Sequence, residues 1–523
     1  MTTVGVIDLA ALGATGWLLG TFLFWSGWSK SLWARPEHVF LLLLGIVSLR
    51  LIVAPIAVPR LSPRRVVAVG VAAYALLFSF VTVTHHLTFR THALDLGYYV
   101  QLTWNLSRGQ GPYVSLPEMN AWGDHLSPIM YLFAPAFLIL PGAPVLLVAQ
   151  SVVLAAGALP VFGIARYYLG DERPAAAFAL LYLVNPSLHG INVRDFHAAA
   201  LAIPLILTAM YCALICRPWL FAAAVGMTLM TREDATIPVA GLGAWLAVCR
   251  GQWLAGAGLA VGALGLLFSE VRWIIPHYRG QAYPHLARYV YLGGSLGEIL
   301  LTLVRDPLRV LGVVFSSGRI VYLLAMLGPL AFLPLLAPGA LLGVAPPLFQ
   351  NLLGSDPVLH SYRTQYQSFV LPFFILGAIV GYKRVMVAGA GRWGAAIMTV
   401  AFALSLALAA SAANDLAVAR WWPTGEQREA YGVMARIPAA ASVSAQDRYV
   451  PHVSLRRLVT VFPVGLDRAD YVLLNMQTYP WRDQPNVTLE RVGDAVTIVT
   501  ADGSRLRYTV DAESGPYLLL RRL

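Results

Sequence analysis

The chain has 523 residues, 58% of them hydrophobic and 12% charged, with a mean hydropathy of +0.66. A soluble globular fold carries roughly a quarter charged residues, so that class is excluded and a polytopic α-helical membrane protein is expected. The formal net charge of +11 is assigned to the positive-inside bias and to anionic lipid or phosphate ligands, and nucleic acid is not expected.

In chain order, apolar stretches long enough to cross ~30 Å of hydrocarbon fall at residues 8–27, 39–58 and 66–86. The first lacks a charged leader and is read as a membrane helix, not a cleaved signal. The basic loop Arg60–Arg65 between the second and third reads as cytoplasmic. Residues 87–127 then form the first long polar interruption, and a long connection of this kind is usually functional. The run 128–141 is short and broken by Pro128, Pro135 and Pro141, as in an interfacial piece. Spans at 143–166 and 174–190 are joined by a basic turn, and 198–216 returns inward to Arg217.

Residues 219–249 carry Thr231-Arg232-Glu233-Asp234 in mid-stretch, with Arg217 and Arg250 at the flanks. Two half-helices with a charged tip fit this pattern; one long tilted helix is the alternative. A span at 253–276 leads to the outer segment 277–317, whose amphipathic run Leu296–Val314 suits a membrane surface. Spans at 318–336, 339–353, 367–382 and 393–413 complete about 11–13 membrane segments.

After residue 415 the composition turns polar and strand-like, at Ala441–Ser444, Leu458–Phe462, Tyr471–Leu474 and Tyr517–Leu520, with a helix expected over Ala430–Ile437. The expected organisation is a membrane domain over 1–415 and a small soluble α/β domain over 416–523. Counting spans from the basic loops puts the N-terminus in the cytoplasm and 87–127 and 416–523 outside the cell or inner membrane.

Nine histidines, His85, His86, His92, His125, His189, His197, His277, His285 and His360, map to that outer face, with Asp95, Asp124 and Asp195 at the same level. A charge in mid-membrane costs ~2.5–3.5 kcal/mol on insertion scales, so Arg232, Glu233 and Asp234 must pair or line water. Asp95 is placed either as the N-cap of an amphipathic helix or as a general base. Tyr98, Tyr99, Trp104, Tyr113 and Trp122 suit either sugar stacking or an aromatic belt. Cys212, Cys216 and Cys249 give no disulfide framework and no metal spacing, and no phosphate-loop, dinucleotide or zinc motif is present.

The motifs Asp95-Leu-Gly-Tyr98-Tyr-Val-Gln, Asp124-His125-Leu-Ser-Pro128, Arg194-Asp195-Phe-His197, Thr231-Arg232-Glu-Asp234, His360-Ser-Tyr-Arg363 and the tail from Pro451 to Val472 resemble a family of bacterial predicted membrane proteins. Through it, the chain resembles the GT-C superfamily of polyprenyl-phosphate-sugar-dependent glycosyltransferases, over about residues 66–475. The resemblance implies a GT-C-like fold and inverting sugar transfer from a lipid-phosphate donor to an extracytoplasmic acceptor. It implies Asp95 and Asp195 as catalytic carboxylates, and Arg232 as the lipid-phosphate contact. His125, Asp124, His197, Tyr98, His360 and Arg363 are the remaining substrate-binding candidates. No cofactor is implied; the acidic metal motif of oligosaccharyltransferases is not convincingly matched, which leaves a divalent metal open but without support. A lipid or solute transporter is the competing class, since charged broken helices are typical there too; a non-catalytic membrane relative is the third.

Overall fold

The structure, a computed structural model, describes residues 3–23, 61–410 and 421–523 except 482, with scattered positions between 39 and 50. Most of the expected span 39–58 and the boundary at 415/416 lie outside the described residues. Among the described residues five helices are long and apolar enough to cross a membrane: Pro63–Leu87, Ala143–Leu169, Glu172–Val193, Trp253–Arg279 and Leu371–Gly389. A sixth is added if the bent pair Pro307–Val314 and Ser317–Leu330 is one span, and shorter apolar helices such as Ala198–Leu214, Pro218–Leu229 and Gly394–Ala410 complete the bundle.

The bundle has two distinct ends. At one, Arg64 donates to Glu172 Oε1 from Nη2 at 2.6 Å, with Arg166 3.6 Å from the same oxygen. This joins the starts of Pro63–Leu87 and Glu172–Val193 to the end of Ala143–Leu169. Arg250 reaches Tyr167 at that end as well. The Arg384 guanidinium bonds the Leu336 carbonyl, so the end of Leu371–Val385 meets the turn before Pro338–Leu353. The basic residues at this end are those the positive-inside rule assigns to the cytoplasm.

Close helix approach rests on glycine. A Cβ on Gly157 would lie 2.3 Å from the Tyr182 hydroxyl, which bonds the Leu154 carbonyl. A Cβ on Gly241 would lie 2.1 Å from the Gly343 carbonyl oxygen, and one on Gly243 2.5 Å from that of Gly256. Without a hydrophobic force between helices in lipid, small residues and van der Waals packing draw them together.

Residues 218–250 are two helices, Pro218–Leu229 and Thr236–Arg250, separated by a break at which Arg232 is fully extended (φ −168°). The long tilted helix is thereby excluded. Residues 128–141 form the short helices Pro128–Leu132 and Ala134–Ile139, with Leu132, Leu138, Ile139 and Leu140 exposed. The amphipathic run is two helices, Leu296–Arg305 and Pro307–Val314, because Asp306 caps the second and Pro307 lacks the donor to continue the first.

At the other end, residues 88–127 are ordered by strands and short helices. After positive-φ turns at Gly109 and Gly111, β1 (Tyr113–Ser115) and β2 (Glu118–Asn120) form an antiparallel hairpin. The C-terminal residues form a seven-stranded sheet of order β4-β3-β5-β9-β8-β7-β6. Here β3 is Val443–Ala445, β4 Val459–Val461, β5 Tyr471–Asn475, β6 Thr488–Val492, β7 Ala495–Val499, β8 Arg505–Ser514 and β9 Tyr517–Arg522. β3 runs parallel to β4 and β5, and the other pairs are antiparallel. The β6–β8 meander is not among the expected strands: its exposed positions include Glu490, Arg491, Arg505, Arg507 and Glu513, and only Val496, Ile498, Tyr508 and Ala512 are buried. The helix of this region is Gly425–Met434, earlier than the expected 430–437, because Thr424 and Gln427 form a reciprocal capping box.

The sheet region is docked on the 88–127 loop. Phe89, Ala93 and Leu116 share one apolar core with Ala430, Val433, Val450 and Leu473. The Gln101 amide donates to the carbonyls of Arg456 and Arg457, and the Ser115 hydroxyl bonds Val459. The loop and the C-terminal sheet therefore occupy the same end of the bundle.

Candidate functional site

Two polar clusters lie at that end. The first forms where the loop after Pro63–Leu87 meets the turn after Pro186–Val193. Asp195 has a positive φ of 61°, an uncommon conformation for a residue with a side chain. Gln150, a lone amide in an apolar span, holds it: its NH₂ donates to the Asp195 carbonyl (2.9 Å) and its oxygen accepts from the His197 N–H (2.9 Å). Backbone strain of this kind persists where surroundings over-determine it, and it clusters at functional sites.

The Asp195 carboxylate accepts from the His92 backbone N–H at 2.9 Å, and His197 Nε2 lies 3.1 Å from Asp95 Oδ1. The Asp95 side chain is 36% exposed while His197 is 6% exposed, so Asp95 is the carboxylate facing outward. Asp95 does not cap its helix. It sits inside the wide turn Ala93–Gly97 that precedes Tyr98–Ser107, and its side chain is directed to His197. The N-cap reading is corrected accordingly: a cap belongs outside the first turn, and here His92 occupies that place.

Electrostatics separate the two acids. Burial and the neighbouring Asp95 charge push Asp195 up to about 7, against the opposing His92 N–H. Burial also acts to raise Asp95, but the His197 imidazole, Arg194 and His92 outweigh it and hold Asp95 below its usual value. The two carboxyls of one cluster are thus driven to opposite sides of the usual aspartate value.

The C-terminal region enters this cluster directly. Asp447, two residues beyond the end of β3, accepts from Ala93 N–H (2.8 Å) and pairs with His92 Nδ1 (2.6 Å). That bond raises His92 above its ordinary value. Asp447 and Gln150 are not among the residues singled out from the sequence, and His92 figures there only as one of the outer-face histidines. The signals were a carboxylate at the C-terminal end of a parallel strand, where α/β sheets hold ligands, and a lone amide within an apolar span.

The second cluster surrounds the break at Thr231–Asp234. Arg232 is buried and bidentate to Asp234, with both bonds at 2.5 Å, and lies over the rings of Tyr366 and Phe369 at 5.3 Å. It does not face lipid; its charge is spent on Asp234, which also accepts from Gln350. Glu233 accepts from Leu126 N–H and from the Tyr283 hydroxyl (2.8 Å), and pairs with His125 Nδ1 at 3.0 Å. His125 stacks on His285, and His285 Nε2 lies 3.7 Å from Asp124.

Tyr98 and Tyr99 lie between the clusters. The Tyr98 hydroxyl donates to the Ala121 carbonyl, and the Tyr99 ring meets Tyr98 at 5.3 Å and His197 at 6.5 Å. Tyr98, Tyr99 and Trp122 are buried; their rings pack the loop and present no open face for a sugar. His360 belongs to the loop after Pro338–Leu353, with Nε2 on the Asn351 carbonyl. Arg363 of that loop packs its backbone on Gly190, where a Cβ would lie 2.5 Å from the Arg363 Cα. Asp95, Asp195 and His197 are thus brought together, Asp124, His125 and Arg232 fall in or beside the second cluster, and His360 is engaged elsewhere.

Among solved structures, the chain is similar to two crystal structures of ArnT from Cupriavidus metallidurans. The one bound to undecaprenyl phosphate shares 13% identity at a TM-score of 0.49, covering 87% of this chain and 98% of that one. The apo structure shares 15% identity at 0.49, covering 88% and 99%. No curated protein matches the sequence. The profile of one family, described as predicted membrane protein (DUF2079), matches residues 85–495, a span that takes in both clusters and strands β3 to β6 of the C-terminal sheet. The chain is a multi-pass membrane protein that belongs to this family.

Proposed function

We propose that the chain is a GT-C-type membrane glycosyltransferase that moves a sugar from a polyprenyl-phosphate donor to an acceptor at the extracytoplasmic face, with inversion. The observation that carries the reading is the Asp95–His197 pair beside Asp195, set where the helix bundle meets the docked sheet. In such a transfer the acceptor hydroxyl attacks the anomeric carbon, the bond from that carbon to the phosphate oxygen breaks, and a carboxylate takes the hydroxyl proton. Asp95 suits the base: it is the accessible carboxylate and is ionised, and geometry ranks before proton affinity in choosing a base. Asp195 is a buried neighbour whose proton occupancy sets the local charge. The departing phosphate needs a cation. Arg232 is already neutralised by Asp234, so Arg194, exposed and close enough to lower Asp95, takes that role in this reading.

The test is transfer by purified protein in vesicles supplied with a panel of undecaprenyl-phosphate sugars and a membrane extract as acceptor source. General-base catalysis contributes ~10²–10⁴-fold, so Asp95→Asn should lose turnover by that factor with folding intact. Undiminished transfer in Asp95→Asn, or turnover of no lipid-linked sugar by the wild type, defeats the proposal.

A further inference from the structure

We propose that Asp124, His125 and His285 form a binding site for a divalent transition metal of the zinc class. One ligand atom from each, a carboxylate oxygen and two imidazole nitrogens, falls within 4.8 Å of the other two. The pair Asp124 Oδ1 and His285 Nε2 is already at 3.7 Å. Metal–ligand bonds of ~2.0–2.2 Å put ligand atoms roughly 3–3.6 Å apart, a separation small rotations of the two rings would supply. Those rings are parallel, 4.5 Å between centroids and 7° between planes.

Two further features point to a cation. His285 Nε2 is buried and has no hydrogen-bond partner among the described residues, a state a buried polar atom seldom keeps. His125 is backed from behind: its Nδ1 meets Glu233 Oε1 at 3.0 Å, leaving the other ring nitrogen for the site. A carboxylate on the far nitrogen of a histidine is the usual outer partner of a metal-bound imidazole, fixing its tautomer and ring orientation. Glu233 is itself fixed by Tyr283 Oη and Leu126 N–H.

The framework is rigid. A Cβ on Gly123 would lie 2.9 Å from the Arg279 backbone, and Arg279 Nη1 donates to the Gly123 carbonyl. The turn carrying Asp124 and His125 is therefore locked to the end of Trp253–Arg279, six residues before His285. Two imidazoles and one carboxylate favour zinc-class ions over magnesium or calcium, which prefer all-oxygen sites. Three protein ligands leave a coordination position open. The site is independent of the transferase reading.

The experiment uses full-length protein purified with a streptavidin-binding tag, stripped with chelator and reloaded with Zn²⁺ or Co²⁺. Bound metal is counted by mass spectrometry, and X-ray absorption at the zinc edge reports the ligands in the wild type without any variant. One tight equivalent with two imidazoles and oxygen in its shell is expected. Asp124→Asn and His285→Ala should abolish it, Glu233→Gln should weaken it 10–100-fold, and His277→Ala should leave it unchanged. Circular dichroism and gel filtration check the fold of each variant. Sub-stoichiometric uptake by the wild type, a shell without imidazole, or uptake insensitive to both Asp124→Asn and His285→Ala overturns the proposal.

Discussion

At Asp195 three constraints coincide: a left-handed backbone, a buried carboxylate and a second acid nearby. Each opposes ionisation or folding, and the His92 N–H and the Gln150 amide offset them through hydrogen bonds. A carboxyl moved from 3.8 to about 7 corresponds to on the order of 4 kcal/mol between its two protonation states. Because the folded state holds this proton more tightly than the unfolded chain, it binds more protons between about pH 4 and about pH 7, and stability falls as pH rises through that window. Below about pH 4 both states are protonated and the penalty is absent; above about pH 7 it is complete. Asp195→Asn keeps an acceptor for the His92 N–H and removes the titration. Its melting temperature in detergent should fall less than that of wild type between about pH 4 and about pH 8. Parallel curves would show that Asp195 does not titrate in that range.

Asp447 reads differently, since it and His92 are each nearly half exposed, at 44% and 45%. Solvent screening leaves such a pair little stabilising weight, so its effect should be on His92 and not on the fold. Asp447→Asn removes the bond to His92 that chiefly raises the histidine. The His92 ring, followed by NMR on histidine-labelled protein, should titrate at lower pH with a melting temperature unchanged within error. An unmoved titration would place the partner of His92 elsewhere.

Among the elements, five of the expected spans, those near 66–86, 143–166, 174–190, 253–276 and 367–382, were legible because hydrocarbon permits few alternatives to a helix, whereas the expected span 318–336 is a helix only to Leu327 and then breaks into short turns at Pro329 and Pro334. The charged break at Thr231–Asp234 was legible for the same reason, since three charges in an apolar stretch need partners. Their identity was not, because Glu233 meets His125 and Tyr283, residues 108 and 50 positions away. Equally hidden was the contact of Gly241 with Gly343 and of Gly243 with Gly256, since glycines in apolar helices are common and only tertiary approach distinguishes them. Overpacking in such a contact typically costs 1–3 kcal/mol. Gly241→Ala should therefore lower the melting temperature and the yield of monodisperse protein, while Gly262→Ala, with nothing within 4 Å of its Cβ, should not. Equal melting of the two would mean that the Thr236–Arg250 and Pro338–Leu353 helices separate at little cost.

For the whole molecule, the polarity of its two ends decides what the site can meet. Arg64, Arg166, Arg250 and Arg384 gather at one end, and the 88–127 loop, both polar clusters and the seven-stranded sheet gather at the other. The sheet shares a core with the loop, so neither can be on the opposite side of the membrane from the other. The positive-inside rule then predicts that the whole site end is extracytoplasmic. In a background with Cys212, Cys216 and Cys249 replaced, a cysteine at Pro480 in the sheet region should react with a membrane-impermeant maleimide on intact cells. A cysteine at Gln252, in the exposed turn beside Arg250, should react only after permeabilisation. The pair works as an internal control, because a leaky preparation labels both and a buried position labels neither. The reverse pattern would turn the molecule over, placing Asp95 and Asp195 in the cytoplasm, where a donor displayed on the outer leaflet could not reach them.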